Sequence, residues 1–348
     1  MEKIIECVPN FSEGRNMAVI REITNAIESV KGIFLLNVDP GFATNRTVVT
    51  FVGSPKEVVE AAFRGIKKAA EVIDMRFQTG EHPRFGATDV CPLIPVSNIS
   101  MEETVVFARK LAERVGRELG IPVFCYEYAA FSDVRKSLAN CRSGQYEGLK
   151  NRLESEKWKP DFGPSKWDEN VAKTGATAIG ARNFLVAYNI NLDTKSVSFA
   201  NAIACDIRES GRKKQENKNA EIIPGSLKNV RAIGWFIEEY GIAQVSMNLT
   251  DINITPVHIA FEEVCEKALL HGIKVTGSEL VGLIPLQSML DAGRYFLQKN
   301  QLSTEISNEE IIKVAINSLG LNELAPFNPK EKIIEYVIEE KSGKKPED

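Results

Sequence analysis

Along this chain, short runs rich in β-branched residues alternate with longer runs whose apolar residues recur at helical spacing. Residues 3–8 read as a strand, and 17–30 as a helix with Val19, Ile20, Ile23, Ala26, Ile27 and Val30 along one stripe. Strands at 33–38 and 47–52 follow, separated by the turn-prone Asp39-Pro40-Gly41. Ser54-Pro55 opens a helix to about residue 73, with proline at a first-turn position where its missing N–H costs nothing. A loop rich in glycine and proline, 79–86, leads into a strand at 90–96. Ser100 and Glu103 have the spacing of a capping box and start a helix to residue 119, before Gly120-Ile121-Pro122 and a strand at 123–126.

From 142 to 180 the periodicity breaks around Trp158, Pro160, Gly163, Pro164, Trp167, Gly175 and Gly180, the signature of a linker or a functional loop. The alternation then restarts with a strand at 184–190, a helix at 194–208, strands at 230–237 and 243–248, a helix at 257–271 and a strand at 274–276. That order, β-α-β-β-α-β, is the split βαβ or ferredoxin-like arrangement. The first half opens with much the same order, which suggests a duplication of structure without a residue-by-residue repeat. Helices at 285–297, 307–319 and 332–340 make a helical C-terminal tail, and 341–348 lacks a core face and is expected to fray. The expected fold class is α+β: two α/β sandwich subdomains, 1–180 and 181–340.

Bulk properties narrow the partners. A chain of 348 residues with 43% hydrophobic and 26% charged residues is globular and long enough for two cores. Acidic residues outnumber basic ones 47 to 43, so no net positive field invites nucleic acid. No apolar run is long enough for a membrane span or a signal peptide. The six cysteines are scattered singly without a C-x-x-C pair, which fits a cytoplasmic protein.

Only three histidines are available for proton chemistry. His258 and His271 fall on and at the end of a helix and read as structural. His82 stands in Gly80-Glu81-His82-Pro83-Arg84-Phe85-Gly86, where Pro83 biases residue 82 towards an extended backbone; a functional imidazole and a satisfied turn histidine are the two readings. Three isolated histidines and no cysteine cluster leave no metal ligand set, and there is no G-x-S-x-G elbow. The glycine stretch 175–182 lacks the Lys-Ser/Thr of a P-loop and precedes a strand, so it is either a connection or a place where a flat ligand approaches backbone. Asp39 with Thr44-Asn45-Arg46-Thr47 places a carboxylate and a guanidinium at a strand junction. Gln244, Ser246 and Asn248 alternate with apolar residues and so share one sheet face, lining a cleft or facing water, with water favoured.

Taken together, Glu6-Cys7-Val8-Pro9-Asn10-Phe11-Ser12-Glu13-Gly14, Thr44-Asn45-Arg46-Thr47, Gly80-Glu81-His82-Pro83-Arg84 and Asp89-Val90-Cys91-Pro92 resemble the formiminotransferases. So do Pro160-Asp161-Phe162-Gly163-Pro164 and Gly277-Ser278-Glu279-Leu280-Val281-Gly282-Leu283. The match is collinear from residue 2 to about 340, leaving no chain for a cyclodeaminase half. The resemblance implies two ferredoxin-like subdomains with a ligand cleft between them, and a homodimer. It implies transfer of a formimino group from N-formimino-L-glutamate to N5 of tetrahydrofolate, a co-substrate, with no metal.

The resemblance places the catalytic histidine on His82 and the folate loop on 163–175, including Gly163, Pro164, Ser165 and Gly175, although 166–174 departs from the family pattern. Asp39 is expected to orient His82 or stabilise a cationic intermediate. Arg46, Arg84 and Arg182 would bind substrate carboxylates, with Glu81, Gln244 and Ser246 as further contacts. A formyl donor, a non-catalytic folate-binding protein and a hydrolase are the alternatives.

Overall fold

The computed structural model describes residues 3–42, 44–80, 84–213, 222–238 and 240–342. The chain divides into two compact units between Arg182 and Asn183. The architecture is α+β, with a mixed sheet in one unit and an antiparallel sheet in the other.

The first unit is built on strands β1 (Ile4–Cys7), β2 (Asn10–Phe11), β3 (Phe34–Gly41), β4 (Arg46–Gly53), β5 (Thr88–Ser97), β6 (Val123–Glu127) and β7 (Thr177–Ala181). β1 and β2 are two pieces of one strand interrupted near Pro9, whose ring cannot donate to a ladder. Both lie antiparallel between β4 and β5, and β3 pairs with the far side of β4. Beyond β5 the sheet continues in parallel through β7 to β6. Helices α1 (Met17–Glu28), α2 (Pro55–Val72) and α3 (Met101–Leu119) bury their apolar stripes with Ile5, Phe11, Val49, Phe51 and Leu93 of the sheet in one core. The Ser100–Glu103 capping box that starts α3 is formed in both directions, and Gly120 ends the helix in a left-handed conformation.

Residues 133–174 hold four short helices, α4 (Asp133–Lys136), α5 (Leu138–Cys141), α6 (Leu149–Leu153) and α7 (Glu169–Thr174), the last two inside the 142–180 stretch expected to lack periodicity. They cover the other sheet face, where Phe124, Tyr126, Val90 and Ala178 meet Cys141, Leu149, Leu153 and Val171. Helices of four to six residues are too short to show a period. The glycine stretch 175–182 is not a loop before a strand, because Thr177–Ala181 is itself the strand. All five of its residues are buried between two parallel neighbours, which removes the polar–apolar alternation.

The second unit comprises β8 (Val186–Leu192), α8 (Val197–Ile207), a small ribbon of β9 (Arg212–Lys213) and β10 (Ile222–Ile223), β11 (Val230–Ile237), β12 (Ile242–Leu249), α9 (Val257–Leu270) and β13 (Val275–Val281). Its main sheet runs β11-β12-β8-β13, antiparallel throughout. β13 is longer than the expected 274–276 and carries the Gly277-Ser278-Glu279 motif. The tail follows as α10 (Leu286–Lys299), α11 (Asn308–Ser318), α12 (Pro329–Lys332) and α13 (Ile334–Ser342). It completes the core of this unit through Met289, Phe296, Ile312 and Ile316. The turn after α11 docks on β13, where Ser278 donates its backbone N–H to Gly320 O at 3.1 Å and its hydroxyl to Leu319 O at 2.6 Å. Among the described residues no helix is long and apolar enough to cross a membrane.

Candidate active site

Glu81 and His82 lie outside the described residues, but the chain on either side is tied down. On one side Asn45, in the left-handed region at φ 49°, donates to Thr79 O (2.9 Å) and Gln78 Oε1 (2.5 Å) and accepts from Gly14 N (3.0 Å). Gln78 in turn donates to Glu13 Oε2, whose other oxygen accepts from Arg15 N and Asn16 N. Gly80 packs so closely that a Cβ there would lie 2.3 Å from Thr44 O.

On the other side Arg84 donates to Glu147 Oε1, and its carbonyl accepts from Tyr146 N. Gly86 forms a bridge with Gly175, flanked by Ala87 N to Thr174 O (2.7 Å) and Ala176 N to Phe85 O (3.1 Å). Ser12 anchors the same strip through its N–H to Ala87 O and its hydroxyl to Gly86 O.

The expected folate segment runs along this same sheet edge. It is pinned at its start by Val123 N to Phe162 O (2.9 Å) and by Asp161, which accepts from Cys125 N and Arg135. Gly163 turns there with φ 83°, and a Cβ would lie 2.2 Å from Ile121 O. Pro164 and Ser165 are half-buried, Asp168 caps α7, and Gly175 at φ 66° ends the segment against Gly86. The fold therefore brings Gly80, Arg84, Gly86 and the 163–175 segment to one edge. Arg182 stands at the far end of β7, roughly 16 Å away at about 3.3 Å per strand residue.

Register defines what the sheet presents opposite α1–α3. Because Phe11, Val49 and Phe51 point into the helical core, Asn10, Arg46 and Thr50 point the other way, and pairing puts Asp39 opposite Val48 on that face. Asp39 is exposed, and its carboxylate makes no hydrogen bond to another described residue. Arg46 is largely buried: its Nε and Nη2 donate to Asn10 Oδ1 at 3.0 and 2.7 Å, and its Nη1 lies 3.2 Å from Asp89 Oδ2. Burial holds the Arg46 guanidinium below its ordinary pKa, with the Asp89 charge acting against that shift. The same Asp89 oxygen accepts from Arg142 Nη1 at 2.7 Å.

Asn10, Asp89 and Arg142 were not among the residues expected from sequence. Asp89 sits at a break in register, where Asn10 pairs with Val90 but Phe11 pairs with Thr88, leaving residue 89 as a bulge. The Asp89-Val90-Cys91-Pro92 motif was visible; its inward turn and its distant arginine partner were not.

In the second unit Gln244 and Ser246 share the sheet face opposite the helices, as alternation requires. Gln244 does not face water: it is fully buried, donates to Asn191 Oδ1 (2.7 Å) and accepts from the Trp235 indole N–H (3.1 Å). Asn191 donates onward to Glu323, Ser246 is half-buried, and Asn248 is exposed. His258 is buried on α9, stacked 4.6 Å from Tyr295, and His271 stands at the C-cap of that helix.

The Formiminotransferase domain, N-terminal subdomain, matches residues 4–182, and the Formiminotransferase domain matches residues 187–339. The chain is 49% identical over 340 residues to a formimidoyltransferase-cyclodeaminase of Gallus gallus, covering 97% of this chain and 60% of that protein. It is 45% identical over 299 residues to a glutamate formimidoyltransferase of Thermoplasma acidophilum, covering 85% of this chain and 93% of that protein. A glutamate formimidoyltransferase of Streptococcus pyogenes is 43% identical, with 86% and 94% covered. The chain thus spans about three fifths of the length of the formimidoyltransferase-cyclodeaminases it matches. With both subdomain types matched in order over most of its length, this chain belongs to the formiminotransferase family.

Proposed function

We propose that the chain is a glutamate formimidoyltransferase that carries the formimino group of N-formimino-L-glutamate to N5 of tetrahydrofolate, releasing L-glutamate. One observation carries this reading: the relatives named glutamate formimidoyltransferase are covered over 93–94% of their own length at 43–45% identity. The strand orders support a ferredoxin-like unit twice over, since β3-β4-β1-β5 and β11-β12-β8-β13 are the same arrangement of four antiparallel strands.

In the reaction N5 attacks the formimino carbon, a tetrahedral intermediate forms, and the bond from that carbon to the glutamate nitrogen breaks. One proton leaves N5 and one arrives on the departing nitrogen. His82 moves both, because an imidazole with an ordinary pKa of about 6.5 has each form accessible near neutrality. Such a shuttle contributes roughly 10²–10⁴ in rate, and positioning supplies much of the rest. Asp39 orients that imidazole or stabilises the cationic intermediate. The segment with Gly163, Pro164, Ser165 and Gly175 takes the folate, and Arg84 and Arg182 offer guanidinium groups to carboxylates. The working protein is a cytoplasmic homodimer.

The test is donor-resolved kinetics on purified protein, following the folate product spectrum with formiminoglutamate plus tetrahydrofolate and, separately, with 5-formyltetrahydrofolate plus glutamate. Turnover with the first pair is expected to dominate. Turnover only with the second pair, or release of ammonia or formamide without folate, would overturn the assignment.

A further inference from the structure

The cluster around Asp89 holds charged side chains whose hydrogen bonding is incomplete among the described residues. Asp89 is completely buried, and one of its oxygens, Oδ2, receives Nη1 of both Arg46 and Arg142. Its other oxygen, Oδ1, is buried with no hydrogen-bond partner among the described residues, and so is Nε of Arg142. An acceptor and a donor on two paired, charged side chains, both without a partner away from water, each cost free energy until a complementary group arrives.

Arg46 is already committed, with two nitrogens on Asn10 and a third on Asp89. Arg142 is not, for only its Nη1 is engaged with Asp89. Its side chain keeps 18% of its surface exposed while Asp89 behind it keeps 1%. The arginine thus stands in front of a buried carboxylate that aims it.

We propose that Arg142, positioned by Asp89, is the residue that recognises the α-carboxylate of an N-substituted L-glutamate, with Asp89 Oδ1 accepting from the adjoining N–H. This rests on the transferase reading, and it names the part of the substrate this cluster takes. A carboxylate one carbon away from an N–H supplies an acceptor for Arg142 Nε and a donor for Asp89 Oδ1. Both substrates contain that unit: formiminoglutamate as its amidine-bearing end, tetrahydrofolate as its glutamyl tail. Arg46, held by Asn10 and Asp89, keeps the Asp89 charge compensated while the ligand binds.

The experiment compares the wild type with Arg142→Met, Arg142→Lys and Asp89→Asn, using thermal melts to confirm folding. Michaelis constants are measured for formiminoglutamate, for its α-amide, for tetrahydrofolate and for tetrahydropteroate, which lacks the tail. Arg142→Met is expected to raise one Michaelis constant about 10–100-fold, the worth of a charge-assisted contact, with kcat within a few-fold. A rise for formiminoglutamate that vanishes with its α-amide assigns the cluster to the donor. A rise for tetrahydrofolate that vanishes with tetrahydropteroate assigns it to the acceptor. Asp89→Asn should reproduce the effect in weaker form, and Arg142→Lys should fall between.

Unchanged Michaelis constants in a folded Arg142→Met protein, or a rise that persists without the carboxylate, would overturn the inference while leaving the transferase reading intact. Should the wild type show no turnover, calorimetric binding of N-acetyl-L-glutamate still reads the cluster. At least tenfold weaker binding by Arg142→Met supports the proposal, and equal or absent binding by the wild type and variant refutes it.

Discussion

Gly86→Ala tests how the chain beside the proposed catalytic residue, His82, is held. An added Cβ would lie 2.2 Å from Ala176 O, 2.7 Å from Thr174 O and 2.8 Å from Ala176 N, all backbone atoms that cannot swing aside. Ordinary contact begins near 3.4 Å, so residues 85–87 and 174–176 must part by about 1 Å. Gly86 is not in the left-handed region, so the cost is purely steric. Overpacking of this kind costs about 1–3 kcal/mol. Parting the segments also weakens the bonds from Ala87 N to Thr174 O and from Ala176 N to Phe85 O, worth about 1 kcal/mol each. The sum is about 3–5 kcal/mol, and a unit of this size loses about 2–4 °C of melting temperature per kcal/mol. Scanning calorimetry should therefore show the first unit melting roughly 6–20 °C lower. Because a 1 Å misplacement of a catalytic group costs about 10² in rate, kcat should fall by that order in the protein that remains folded. A melting temperature within about 2 °C of wild type would refute the close backbone approach on which this reasoning stands.

His82→Ala should lower turnover by at least about 10² while folate binding, followed by fluorescence titration, stays within a few-fold; near-normal transfer would remove the histidine from the mechanism. Burial holds the His258 imidazole below its ordinary pKa, with Asp291 and Glu262 acting against that shift. The unfolded chain therefore takes up this proton first as pH falls through about 6.5, and native stability declines by up to about 1.4 kcal/mol per pH unit until the folded imidazole also protonates. His258→Phe keeps a ring against Tyr295 and should flatten that part of the melting curve between pH 7.5 and 5; parallel curves for the two proteins would count against it. Gln244→Leu strands Asn191 Oδ1 and the Trp235 indole, so urea unfolding should show the second unit about 2–3 kcal/mol less stable, and a loss under about 0.5 kcal/mol would contradict the buried amide chain.

Much of this fold is legible in the sequence because its signals are local. The Ser100–Glu103 box, the stripe from Val19 to Ile27 and the alternation in 242–249 each need only a few neighbouring residues, and each element formed where its pattern lies. β7 was missed because its small buried residues, Thr177–Ala181, are strand only by virtue of β5 and β6 on either side. Water was favoured over a cleft for Gln244 because alternation tells which residues share a face and nothing about what covers it. Arg142 escaped notice because its partner is 53 residues away across a bulge, a relation no local window contains. The loop containing His82 was conspicuous for the opposite reason: glycine, proline and charge crowd into seven consecutive positions.

The docking of the Gly320 turn on β13 has a practical consequence for anyone wishing to shorten this protein. An outermost strand offers a row of backbone groups that another chain can pair with, and here the helices after Val281 shield that row. In the first unit the corresponding border is sealed instead by β7 running alongside β5. A fragment stopped after β13 would keep every strand of its sheet, yet it would bare a sticky margin and tend to precipitate. The final fifth of the chain, which holds none of the residues given a role in the chemistry proposed above, is what keeps the second sheet from finding the wrong neighbour.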